Sequence, residues 1–107
     1  MRPRKRRLMR SCPTARFYKP QGIPMRELKT VTLKDEEWEA IKLADYKGMQ
    51  QEEAAQMMGV SRPTFSRVLS SARKAVAKAL AEGAALEIGG GDFQIIAEKT
   101  EHQQKEE

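Results

Sequence analysis

The stretch from Gln51 to Lys74, QEEAAQMMGVSRPTFSRVLSSARK, constrains the fold of this chain more than any other part of it. Gly59 separates two segments whose apolar residues recur at helical spacing. Two helices that meet at a steep angle need a small residue where their axes approach, a residue tolerant of positive φ in the turn, and apolar side chains that pin both. Ala55 supplies the first and Gly59 the second, while Ala54, Met58, Val60, Phe65 and Val68 supply the third. The pattern predicts one short helix over about Gln51 to Met58 and a longer one from just after Ser61 to about Ala81. Ser61 is the natural N-cap, Pro63 is tolerated in a first turn whose N–H groups have no intrahelical acceptor, and Gly83 closes the helix. Phe65, Val68, Leu69, Ala72, Val76 and Leu80 are expected on its inner stripe.

A further helix is expected upstream. Thr32 followed by Asp35 resembles a capping box, and Asp35, Glu36 and Glu37 load the first turn, where the helix dipole favours negative charge. This helix should run from about Leu33 to Lys47 and stop at Gly48. Leu33, Ala40, Ile41 and Ala44 would share its buried face, with Trp38 and Leu43 flanking it. The helical spacing of Trp38 and Tyr46 predicts packing rather than a stacking platform, and the acidic residues read as dipole partners rather than a catalytic pair. Pro3, Pro13, Pro20, Pro24 and Gly22 mark 1–30 as an extended arm. Phe17, Ile23, Met25, Leu28 and Val31 are its apolar anchors, and Phe17 and Tyr18 suggest a short strand. Ala85 to Ile88 and Phe93 to Ile96 flank Gly89-Gly90-Gly91-Asp92, which reads as a β-hairpin or a linker. The expected organisation is a basic arm over 1–30, a helix-turn-helix domain over 31–83, a short β segment over 84–97 and a disordered acidic tail over 98–107.

Charge is distributed in the same order. Between Met1 and Lys29 ten Lys or Arg stand against one Glu, and from Glu82 to Glu107 two stand against seven acidic residues, within a net charge of +5 over 107 residues. A basic head that includes Arg4, Lys5, Arg6 and Arg7 can neutralise phosphates and release counterions. The outward positions of the third helix carry Ser61, Arg62, Thr64, Ser66, Arg67, Ser70, Ser71, Arg73 and Lys74, with no acidic residue from Ser61 to Ala81. A helix that only faces water usually mixes signs, as Lys34 to Glu37 do. Arg donates bidentately to guanine O6 and N7, and short hydroxyl residues allow close approach to backbone and groove floor. Arg62, Ser66 and Arg67 are thus expected nearest the bases, with Thr64, Ser70, Arg73 and Lys74 nearer the phosphates.

The run from Leu33 through Val76 resembles region 4 of sigma-70-type transcription initiation factors. More widely, Arg2-Pro3-Arg4, Cys12-Pro13, Phe17, Pro20, Gly22, "EAIKLAD", the helix-turn-helix, "KALAEG" and "IGGG" are similar to a small prokaryotic family of uncharacterised, predicted DNA-binding proteins, domain of unknown function 134. The resemblance covers about Arg2 to Gly91. It implies a mainly α fold, a three-helix, winged-helix-related module with short flanking β segments, and a DNA-binding regulator as the activity. Without the promoter-melting region of a sigma factor before the module, transcription initiation by this chain alone is not expected.

The expected partners are double-stranded DNA and a second copy of the chain, because a lone helix-turn-helix reads few base pairs and such regulators pair across half-sites. An alternative is a protein-binding adapter docking on RNA polymerase or another regulator. A third reading, a redox- or metal-responsive regulator, would act through Cys12, the single cysteine, set among cations. His102 lies in the expected tail, so no metal site within one chain is predicted. No catalytic set, phosphate loop or cofactor motif is found, which argues against an enzyme. The absence of an apolar run of about 18 residues and of a signal-peptide pattern points to a cytoplasmic protein with no membrane partner.

Overall fold

The computed structural model describes residues 7–9, 11–89 and 93–95. The elements run β1 (Arg7–Met9), β2 (Phe17–Tyr18), a 3-10 turn (Met25–Glu27), β3 (Thr30–Leu33), α1 (Asp35–Ile41), a π-helical turn (Lys42–Tyr46), α2 (Gln51–Met57), α3 (Arg62–Glu82), β4 (Ala85–Ile88) and β5 (Phe93–Ile95). The result is a small, mainly α domain with three helices and short flanking strands.

The three helices close over one apolar cluster. Phe65, Leu69 and Val68 of α3 meet Ala54, Ala55 and Met58 of the α2 region and Ala40 and Leu43 of the α1 region, all buried. Ala54 and Ala55 lack bulk, so the two helices approach closely at the turn. Gly59 takes φ +67° there and Gly83 takes φ +63° after α3, both left-handed values that a side chain disfavours. Ser61 caps α3 as expected, its hydroxyl accepting from Thr64 N at 3.3 Å.

The first helix departs from expectation in two ways. Thr32 belongs to β3, where its backbone is paired with Glu87, so it is not the cap. The helix starts two residues later, with Lys34 N donating to Glu37 Oε1 at 2.9 Å. After Ile41 the helix widens, and Lys47 N bonds to Lys42 O across five residues at 2.9 Å. The wider turn changes the phase of the helix face. Leu43, expected at the flank, is fully buried, while Ile41 and Ala44 are half-buried. Tyr46 projects outward with 82% of its surface exposed, so Trp38, half-buried against the second apolar cluster, packs within the fold and Tyr46 is not part of the core.

A second cluster joins α3 to a three-stranded sheet of order β2-β4-β3, in which β4 runs antiparallel to β2 and parallel to β3. Leu33, Ala72 and Ile88 are its buried centre, with Trp38, Ile41, Val76 and Leu86 against them. Both edges of β4 are therefore filled, and a hairpin between β4 and β5 does not form. Instead β5 pairs in parallel with β1. Leu80, expected on the inner stripe, is 79% exposed, although its neighbour Ala79 is buried. It lines, with Tyr18, Val76, Ala79 and Leu86, an apolar groove of about 290 Å³.

Of the expected anchors in the N-terminal segment, Leu28 and Val31 are half-buried and the others are not. Phe17 is 54% exposed, and Ile23 and Met25 are also exposed. Met9 and Pro13 are buried instead, and Leu8 N donates to Met58 O at 3.0 Å. Leu8 packs at the α2–α3 turn, where a Cβ on Gly59 would fall 3.1 Å from its Cδ1. The tail over 98–107 lies outside the described residues.

Two substitutions test this arrangement. Phe65→Ala removes the ring at the junction of the three helices and should cost about 3–5 kcal/mol, read as a lower urea midpoint at unchanged slope. Gly59→Ala forces a left-handed residue and presses on Leu8. It should cost about 1–2 kcal/mol from the backbone alone and speed protease cleavage before Leu8 relative to wild type. A Gly59→Ala protein with wild-type stability would show that the turn tolerates a side chain.

Candidate nucleic-acid interface

α3 is 21 residues long, and its sequence divides it lengthwise. The apolar residues at i, i+3, i+4 and i+7 from Phe65 turn inward, leaving Ser66, Arg67, Ser70 and Lys74 exposed on the outer side and Arg62 and Arg73 exposed at its margin. Ser61 is exposed at the cap and Thr64 is half-buried. These eight residues lie on one helix, beginning at the turn that presents its N-terminus, where the helix dipole favours an anion.

The exposed positions differ in how they are held. Thr64 Oγ1 accepts from Ser61 Oγ at 3.0 Å and from Arg67 Nη2 at 3.3 Å, so Ser61, Thr64 and Arg67 form a local chain along the first turns. Arg73 is different. Its Nη2 and Nε donate to the two carboxylate oxygens of Asp45 at 2.7 and 3.0 Å. The guanidinium holds the Asp45 carboxyl below its usual range, and the carboxylate in turn raises Arg73. A lowered folded-state value means that the pair's contribution is complete above the ordinary carboxylate pKa and fades as the pH falls through the lowered one. Both side chains are about half exposed, so the contribution to stability is small.

Four acidic residues, Asp35, Glu36, Glu37 and Glu39, are buried at the start of α1 beside this face. Asp35 pairs with Arg16 at 2.6 Å, and Arg16 also reaches Ile88 O, which ties the chain before β2 to the helix start and to β4. Glu37 Oε2 accepts from Ser71 Oγ at 2.5 Å, so this outward serine of α3 is engaged within the fold. Glu39 pairs with Lys42 at 3.2 Å. Lys42 in turn donates to Ser11 Oγ at 2.9 Å and sits 4.9 Å from the centre of the Trp38 ring. Helix dipole and ion pairing together account for most of this acidic group as structural.

Of the basic arm, Arg4, Lys5 and Arg6 lie outside the described residues, and Arg7 opens β1 one residue before Leu8. Cys12 is exposed, and His102 lies outside the described residues. Among the described residues no group of three or more His, Cys, Asp or Glu is arranged to hold a metal ion, and no helix is long and apolar enough to cross a membrane. Residue spacing did not reveal Asp45, Leu8 or Met9 as parts of this region. Asp45 lies 28 positions from Arg73, and an ion pair between elements leaves no local pattern.

The family model described as "Protein of unknown function DUF134" matches residues 1–96. Similar proteins carry the name UPF0251 protein. One from Halothermothrix orenii is 52% identical over 88% of this chain and 70% of its own length. Another from Pelotomaculum thermopropionicum is 54% identical over 89% and 72%. A third, from Rhodospirillum rubrum, is 53% identical over 84% of this chain, which spans 63% of that protein. No solved structure matches the chain. The chain belongs to the DUF134 family, whose function its description leaves open.

Proposed function

We propose that this protein is a sequence-specific DNA-binding protein, a cytoplasmic transcriptional regulator that seats the first half of α3 in a major groove. The observation that carries the reading is the exposed face of α3, basic and hydroxylic from Ser61 to Lys74 on a helix held rigidly by Phe65, Val68 and Leu69. Arg62, Ser66 and Arg67 are assigned to base edges, and Ser61, Thr64, Ser70 and Lys74 to the flanking backbone. The attachment of Leu8 at the α2–α3 turn supports a role for the basic arm, because Arg7, the residue before it, belongs to the strand that reaches this turn. We read the protein as a binding module rather than an enzyme, acting as a homodimer on double-stranded DNA. The apolar groove at Tyr18, Leu80 and Leu86 supports self-association, since it sets a protruding Leu80 beside a hollow on the same surface.

Binding to random and to selected duplexes across a salt series tests the reading. A regulator should bind random DNA with a steep salt slope and one selected sequence class at least about 10³-fold tighter. Arg67→Ala should relax the preference at one position while leaving the fold intact. Weak, uniform binding to every duplex would instead favour an adapter that docks on RNA polymerase or another regulator. In sedimentation, the wild type should run as a dimer and Leu80→Ser as a monomer with the same far-UV spectrum, whereas a wild-type monomer removes self-association from the proposal.

A further inference from the structure

Among the described residues, Arg73 is held by a carboxylate, while Arg62, Arg67, Lys74 and Lys78 of the same helix form no ion pair. The pair joins the middle of α3 to the π-helical turn that follows α1, and it lies on the surface, with the two side chains 55% and 41% exposed. An exposed pair of this kind adds little to folding, and α1 and α3 already share the buried contacts around Phe65 and Leu43. Stability therefore gives a weak reason for the contact. Its geometry suggests a different one. The guanidinium presents two parallel donors to two oxygens, which is how an arginine also grips a phosphate.

Resting on the DNA-binding reading above, we propose that Asp45 is an affinity-setting residue: it occupies the Arg73 guanidinium in the free protein and competes with a DNA phosphate for it. Binding a duplex then exchanges one two-point contact for another, and the cost of breaking the first weakens every complex, specific or not. Residence on random DNA, which depends almost wholly on phosphate contacts, is lowered toward the point of dissociation. A complex that also engages Arg62, Ser66 and Arg67 retains enough contacts to persist.

The test is a double-mutant cycle on the full chain, with affinity for a random duplex measured at low salt and the fold monitored by far-UV circular dichroism. Asp45→Asn should bind about two- to fivefold tighter than wild type, the range in which exposed ion pairs act. Arg73→Gln should bind more weakly, and Asp45→Asn combined with Arg73→Gln should match Arg73→Gln alone. Asp45→Asn binding like wild type overturns the proposal and leaves the DNA-binding reading intact. The same follows if the gain survives in the Arg73→Gln background, because the effect is then general charge removal rather than release of Arg73. No salt-dependent binding by wild type or by Asp45→Asn overturns both.

Discussion

Burial of the Phe65 ring is the contact on which the rest of the molecule depends. The ring lies where α1, α2 and α3 meet, and it is the largest fully buried side chain among the described residues. Its position one turn into α3 fixes the rotation of that helix about its own axis. Once Phe65 points inward, Val68, Leu69 and Ala72 must follow at helical spacing, and Ser66, Arg67, Ser70 and Lys74 must face out. The polar face is thus set by an apolar residue, and it is held in place because its reverse side is core.

The second half of α3 is held in another way. Here the helix rests on a three-stranded sheet assembled from distant parts of the chain: two residues before Lys19, four before α1, and four after the helix itself. Leu33, Ala72 and Ile88 join these layers, and Arg16 binds Asp35 and Ile88 O from outside. A small domain buries a modest share of its surface, and this one extends its core by drawing a Pro-rich leader into a sheet.

Features that depend on a few neighbouring residues were legible in the sequence. Gly59 and Gly83 occupy left-handed turns, Ser61 caps α3, and the α2–α3 boundaries fall within a residue or two of expectation, because each follows from local backbone chemistry. Most features set by distant partners were not. Thr32 reads locally as a cap until β4 claims its backbone, and the glycine run reads as a hairpin until β4 is seen to have both edges filled. The π-helical turn moved Leu43 into the core with no signal in composition. Leu80 continues the apolar period of α3, but a period does not say which of its positions a neighbouring element covers, and here Ala79 is buried while Leu80 is not. On the exposed face, the identity of the polar residues was readable, whereas the attachment of Arg73 to Asp45 and of Ser71 to Glu37 required the tertiary arrangement.

The attachment of Leu8 to the α2–α3 turn also has a geometric consequence. The Leu8–Met58 hydrogen bond closes a loop that takes in β2, β3, α1 and α2. The entropic cost of closure grows only slowly with loop length, so one backbone hydrogen bond and one leucine side chain can hold ends this far apart in sequence. Strand β1 and the turn that starts α3 are thereby coupled, and a displacement of Leu8 acts directly at Gly59.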